Sequence, residues 1–337
     1  MIVFKNRVIP IHLPPSMQKT KTRNFRYYLK WTLWVIVIQI VLANISASIY
    51  AYKFTHFYNP PAPSVSSRNI FHKTWKLFVG PNFYKDVNEP APSFSVQNIT
   101  LKTSGGIPID AWYSATDSSK ACVILVHGYS TNKAIVEMEA TMFKQWGYSV
   151  LLFDLRGHGK SGGNSTTFGM KETDELQKAF EFAKQRGNSK IVVYGVSLGS
   201  AVAIKAVAEN KIHPDAIIAD MPFGTLHEHF KKRASLLGFP SEPFASLISL
   251  WIGIAKGYNA FSHDIRTYAK KVNCPVLVEW GDKDRYVSRE ETETIFNNLS
   301  SGNKKLAIYT GVDHESFLQK DPFNWEQQVQ TFLRSVQ

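Results

Sequence analysis

The hydrophobic pattern changes character three times along this chain. Residues 31–52 read WTLWVIVIQIVLANISASIYAY without a single charge. A helix of that length rises roughly 33 Å, enough to cross a bilayer. It is apolar on every face, which excludes an ordinary core helix of a water-soluble domain. Residues 53–93 contain Pro60, Pro61, Pro63, Pro81, Pro90 and Pro92 and cannot form a long regular element. Within them, 68–79 (RNIFHKTWKLFV) places Phe71, Trp75 and Phe78 at helical spacing with Lys73 and Lys76 between. That pattern predicts either a short interfacial helix or an arm packed on the C-terminal domain. Beyond Ser93, short apolar runs alternate with amphipathic stretches, at 122–126, 150–153, 191–194, 216–219, 276–280 and 306–309. They are continuous and mostly β-branched, as buried parallel strands with helical crossovers are. Two earlier segments, 95–102 and 107–112, flank Ser104-Gly105-Gly106 and predict a hairpin at the sheet's edge. The expected fold is α/β: an open, mostly parallel sheet of about eight strands with helices on both faces, whose ligands bind at the carboxyl ends of the strands.

Charge changes this picture only at the N-terminus. The net charge is +12 over 337 residues, which would suit a nucleic-acid binder if it were spread over a face. Instead, residues 1–85 hold 12 Lys or Arg and no acid, while residues 86–337 hold 27 charges of each sign. A neutral body behind a basic leader argues for a membrane and against nucleic acid. Five basic residues (Lys19, Lys21, Arg23, Arg26, Lys30) precede the apolar run and two (Lys53, Arg68) follow it closely. The positive-inside rule then puts residues 1–30 in the cytoplasm and everything after the span outside it. Trp31, Trp34, Tyr50 and Tyr52 stand near the ends of the run, where amphipathic rings favour the headgroup region. The alternative is a signal peptide cleaved in the small-residue stretch 43–51, with Met17 in place of Met1 as the start.

The residues just past each strand supply the chemistry. Gly195-Val196-Ser197-Leu198-Gly199 lies directly between a strand and a helical stretch, the setting of a GxSxG turn that exposes a nucleophilic serine. A second match, 159–163, runs on into loop residues and lacks that setting. A serine hydroxyl needs an adjacent base oriented by a carboxylate. Gly281-Asp282-Lys283-Asp284 follows one later strand and Asp313-His314-Glu315 another, giving the chain order Ser, Asp, His. The amide after the nucleophile, Leu198, and that of Tyr129 in His127-Gly128-Tyr129 are the candidate oxyanion hole.

With HGY, DLRGHGKS, GVSLG, GDKDRYVS and DHE in this order, residues 94–337 resemble a serine hydrolase of the α/β-hydrolase superfamily, in the branch of monoacylglycerol-lipase-like and serine-aminopeptidase-like enzymes. The resemblance implies an α/β-hydrolase domain with a short helical cap, here the insertion 221–271, and no cofactor. It assigns the acid to Asp284 over Asp282 through GxxDxxV, and the base to His314 through GxxH. The domain reading is thus a basic leader 1–30, a transmembrane helix 31–52, a connector 53–93 and a hydrolase domain 94–337. The expected activity is cleavage of a lipid or other apolar acyl ester. A peptidase or thioesterase with the same triad is the alternative, and a noncatalytic tethered binding protein a further one. The apolar stretch 244–255 is expected to be either a lid over the acyl pocket, with Trp251 the candidate lining residue, or a plain core helix.

The remaining motifs read as structural. His127 and His158 precede the serine, the wrong order for its base. Residues 157–162 match GxGxxG, but Asp154 stands where a phosphate loop needs its first Gly. His227-Glu228-His229 has neither HExxH spacing nor a third ligand nearby, so no metal is expected. Cys122 begins one strand and Cys274 precedes another; in the strand order that the resemblance implies, two strands lie between these, roughly 14 Å at strand spacing, too far for a disulfide.

Overall fold

A computed structural model describes residues 15–59, 70–116, 121–236, 238 and 240–336. The first 14 residues of the leader, Pro60, Pro61, Pro63, Arg68, and Leu237 and Phe239 of the cap segment lie outside the described residues. The chain divides into two units, 1–46 and 47–337. Helix α1 (Pro15–Thr55) begins in the first and ends in the second. Its stretch Asn24–Thr55 has a mean hydropathy of 2.0 in its most apolar window, long and apolar enough to cross a membrane.

The second unit is built on an eight-stranded sheet of order β10-β9-β8-β7-β5-β6-β4-β3. Its strands are β3 (Gln97–Lys102), β4 (Pro108–Ser114), β5 (Ala121–Val126), β6 (Ser149–Phe153), β7 (Lys190–Val196), β8 (Ala216–Asp220), β9 (Val276–Gly281) and β10 (Lys304–Tyr309). All eight expected strands are present. The β3–β4 hairpin pairs antiparallel to the edge of β6, and the other pairings are parallel. The continuous apolar runs have their reason in the two cores they feed. Ile124, Val126, Leu151 and Val193 point to one face, against α4 (Thr173–Gln185), α5 (Leu198–Ala208), α8 (Ile265–Ala269) and α9 (Arg289–Asn298). Val123, Leu125, Leu152 and Val192 point to the other, against α3 (Glu137–Gln145) and α11 (Pro322–Ser335). A strand covered on both faces has no polar side to show. Strands β7 and β8 separate β5 from β9, and both cysteines are free.

The connector is structured. A two-residue parallel ribbon joins β1 (Phe57–Tyr58) to β2 (Phe83–Tyr84), with α2 (Ile70–Val79) between them in sequence. The packing boundary at Ala47 lies before the divisions at 53 and 94 read from the sequence, and the side chains explain it. Ala47, Tyr50, Ala51 and Phe54 follow i, i+3, i+4, i+7 spacing and are buried against Phe168, Leu226, Phe230 and Ile248. The small residues at 47 and 51 let this helical stripe approach its neighbours closely. Tyr50 is thereby removed from the headgroup role its position suggested: its hydroxyl donates to the Leu77 carbonyl at 2.7 Å. Trp75 and Leu77 on α2 remain exposed.

The segment between β8 and β9 forms α6 (Leu226–Leu236), α7 (Ser241–Lys256) and α8. One face of α7 gives Ala245, Ile248 and Ile252 to the core shared with Tyr50 and Phe54, with Leu247 and Trp251 packed at its edge.

Candidate active site

Strand β7 delivers Ser197 into a turn with φ 51° and ψ −104°, a left-handed conformation that a side-chain-bearing residue holds only under strain. Two glycines make the turn possible. A Cβ on Gly199 would sit 2.1 Å from the Val126 carbonyl oxygen, and one on Gly195 would sit 2.6 Å from the backbone of Gly199 and Ser200. Hydrogen bonds hold the strained geometry from below. The Ser197 amide donates to the Asp220 carbonyl at 2.8 Å. The Ser200 hydroxyl reaches the carbonyls of Gly195 and Asp220 at 2.6 and 2.8 Å. The second GxSxG match is different in kind: Ser161 is buried, donating to the Asp154 carbonyl and accepting from the Asp110 amide.

The loops after β9 and β10 meet. His314 Nδ1 lies 2.7 Å from Asp284 Oδ2, and the Asp284 side chain is fully buried. The other oxygen of Asp284 accepts from the amides of Tyr286 and Val287 at 2.8 and 2.9 Å, which fixes the carboxylate's plane. Asp282 does a separate job, accepting from the Gly311 amide at 2.6 Å. Asp313, next to His314, is held by Arg285 and supports the loop.

Ser197 and His314 open on one cavity of about 610 Å³, with Tyr129 on its wall. The Tyr129 ring stacks on Phe168 at 5.1 Å, and its hydroxyl donates to the Phe54 carbonyl at 2.8 Å. Leu198, whose amide opens α5, is buried directly after the strained turn at Ser197. The cavity's outer wall departs from the expected one. It comes from α6, through His229 and Arg233, and from Ile135, Met138 and Met221. Among the described residues none of α7 lines it; Ala245, Ile248 and Ile252, with Leu247 and Trp251 at the edge, pack instead in the core shared with Tyr50 and Phe54 at the end of α1.

His127 and His158 are buried, as a structural role requires. His127 Nε2 accepts from the Leu155 amide at 3.0 Å while Nδ1 donates to the Gly128 carbonyl at 2.7 Å, so the ring is a neutral spacer. Burial lowers its pKa to about 4, and that of His158 to about 3. In the GxGxxG loop, Lys160 pairs with Glu89. Glu89, Asp110 and Asp154 converge, and Lys133 Nζ binds all three at 2.6, 2.6 and 3.0 Å, which supplies the cation such a group would otherwise seek.

No local motif marks a second set of groups beneath the cavity. The Tyr194 hydroxyl donates to Asp220 at 2.5 Å, the Tyr309 hydroxyl to Glu279, and Ser316 to Glu139 at 2.6 Å. Burial pushes Asp220 well above the carboxylate range and Glu279 up to about 7. These carboxyls come from two strands and a helix far apart in sequence, and only the folded sheet brings them together.

An eight-stranded sheet of this order, with Ser197 at the strained turn after β7 and a His–Asp pair on the loops after β10 and β9, defines an α/β-hydrolase. The family described as serine aminopeptidase, S33 (Hydrolase_4) matches residues 117–247 and 231–321, and the chain belongs to it. The YqkD protein of Bacillus subtilis is 27% identical over 256 residues, covering 74% of this chain and 83% of its own. A monoacylglycerol lipase of Mycolicibacterium smegmatis is 24% identical over 249 residues, covering 63% and 88%. The lysophosphatidylserine lipase ABHD12 of Macaca fascicularis is 29% identical over 192 residues, covering 52% and 45%, so the chain matches about half of that lipase's length. Among solved structures, the Pyrococcus furiosus esterase Pf2001 is 25% identical, with a TM-score of 0.62 over 75% of this chain and 99% of that one. The chain is accordingly a hydrolase.

Proposed function

We propose that this hydrolase is a membrane-anchored serine esterase acting on carboxylic esters of apolar acyl groups. The observation that carries the reading is the Asp284–His314 contact at 2.7 Å opening on the same cavity as Ser197. In this mechanism Ser197 Oγ attacks the ester carbonyl while His314 Nε2 accepts its proton. Asp284 holds the Nδ1–H and stabilises the imidazolium. The amides of Leu198 and Tyr129 hold the developing oxyanion. Collapse expels the alcohol, which takes the proton back from His314. Water, activated by the same imidazole, then releases the acid from Ser197. The lipase names of two relatives and the apolar side chains Ile135, Met138 and Met221 on the cavity wall support a fatty acyl chain as the bound group.

The anchor reading rests on the 32-residue helical stretch and its basic leader. The burial of Ala47, Tyr50 and Phe54 in the body supports retention of the helix over its cleavage. By the positive-inside rule the hydrolase lies outside the cytoplasm. Protease added to intact cells should digest it, and protection until lysis would overturn this topology.

A fluorophosphonate should label the wild-type chain and leave Ser197→Ala unlabelled. p-Nitrophenyl esters of increasing chain length should then give kcat/KM rising by about tenfold per two methylenes until the cavity is full. The family's description favours a second reading, a peptidase. A flat ester series with rapid cleavage of aminoacyl amides would select it.

A further inference from the structure

Arg233 stands on the cavity wall without the carboxylate partner that several other cations of this fold have. Lys133 faces Glu89, Asp110 and Asp154; Arg156 faces Glu175; Lys205 faces Glu209. Among the described residues, no carboxylate pairs with Arg233. Its guanidinium carbon sits 5.8 Å from the centroid of Phe54 and 5.4 Å from those of Tyr129 and Tyr286. These rings orient the group without satisfying its hydrogen bonds. Nε donates to His229 Nε2 at 2.8 Å, so the acceptor imidazole is neutral. The four N–H bonds on the two Nη atoms have no acceptor among the described residues, and the residue lines the cavity. A planar fork of donors with a fixed positive charge matches the oxygens of a phosphate or carboxylate.

The position relates this cation to the reacting centre. Both approach the same tyrosine: the Tyr286 ring lies 5.4 Å from the guanidinium carbon and 5.4 Å from the His314 ring. Tyr129, whose amide is the proposed oxyanion donor, is another of its aromatic neighbours. Arg233 is half-buried, and packing against these rings removes part of the water around its guanidinium, which lowers its pKa.

On the serine-esterase reading above, we infer that Arg233 is an anion subsite: the ester substrate carries a phosphate or carboxylate group within about a glycerol's length of the scissile bond, and Arg233 binds it. The cavity would thus accept an acyl chain along its apolar wall and an acidic group at its aromatic-lined cation.

Two pairs of esters test this on the full chain in detergent. The first is a 1-acylglycerol against the same 1-acylglycerol 3-phosphate, with the anion on the alcohol side. The second is p-nitrophenyl butyrate against the p-nitrophenyl half ester of glutaric acid, with the anion on the acyl side. In at least one pair the wild type should favour the anionic ester by at least about tenfold in kcat/KM, the size of one charge-assisted bond. Arg233→Gln should bring that ratio within threefold of one, and Arg233→Lys should keep part of it. The ratio is the readout because a general loss of folding or of catalysis moves both members equally. Should Arg233→Gln fail to fold, the wild-type preference must shrink between about 20 and about 500 mM salt, by screening. Ratios near one in both pairs overturn the inference, as does a preference that neither Arg233→Gln nor salt alters. If the neutral esters are cleaved in those cases, the esterase reading stands and only the anion subsite falls. If no ester is cleaved and fluorophosphonate does not label, both fall.

Discussion

Replacing Asp284 with Asn exchanges one oxygen for an NH2 and leaves the size of the side chain unchanged, yet the surrounding hydrogen bonds dictate how the amide must sit. The amides of Tyr286 and Val287 both donate to one oxygen of Asp284, at 2.8 and 2.9 Å. In the variant only the amide oxygen can accept them, so the NH2 is turned toward His314 Nδ1, 2.7 Å away in the parent. Nδ1 must then be the acceptor, and the imidazole proton moves to Nε2. A base protonated at Nε2 cannot take the proton of Ser197. The expected fall in kcat is about 10,000-fold, or about 5 kcal/mol of transition-state stabilisation. Because the Asp284 side chain is buried behind the imidazole, KM should change little. Asp282→Asn keeps an oxygen for the Gly311 amide and should lower kcat by less than about threefold. The assay is p-nitrophenyl butyrate turnover by the purified full chain, with thermal unfolding to show that both variants are folded. A folded Asp284→Asn enzyme within tenfold of the wild type, or a costlier Asp282→Asn, would refute the reasoning.

Two further outcomes concern the scaffold. Gly199→Ala would push a methyl to 2.1 Å from the Val126 carbonyl oxygen and should cost about 3 kcal/mol or more. Gly302→Ala, with nothing within 4 Å of its Cβ, should cost less than about 0.5; equal shifts in Tm would contradict the close-approach argument. His127 has its pKa lowered to about 4 by burial, so the unfolded chain takes up that proton first as pH falls, and stability is lost from pH ~6.5 downward. The gap in unfolding free energy between wild type and His127→Gln should therefore narrow by about 2 kcal/mol from pH 7 to pH 5. The variant difference is the readout because Glu279, raised to about 7, acts with the opposite sign: its contribution is lost as pH rises from about 4.5 through 7. Urea titrations of both proteins at the two pH values measure the gap, and a constant gap would remove His127 from the account.

The parallel strands were legible because a strand covered on both faces must be apolar throughout, and runs such as CVILV and IVVY have no other economical use in an α/β chain. The loops bearing Ser197, Asp284 and His314 were legible because each stands immediately past such a run. The cavity wall was not. Stretch 244–255 is apolar enough to line an acyl pocket, but the surface it covers is decided by Tyr50 and Phe54, nearly 200 positions earlier. Arg233 was equally silent. A His and an Arg at i and i+4 describe countless exposed helices, and nothing local says that three aromatic rings from three other segments enclose this one.

The buried end of α1 also bears on how the enzyme can be handled outside a membrane. A fragment begun near residue 94, where the strand pattern starts, would discard Ala47, Tyr50, Ala51, Phe54 and Phe57, all buried. Each large side chain among them contributes about 1.5–3 kcal/mol of burial. Their removal would bare Phe168, Leu226, Phe230 and Ile248 as one contiguous oily patch, the kind of surface through which truncated proteins self-associate. Lys133 would lose Glu89, and Tyr129 would lose Phe54, Phe57 and Phe83 from around its ring. Turnover measured on such a fragment would report a cavity whose Tyr129 wall has lost its backing, whereas a cut ahead of Ala47 leaves that backing in place.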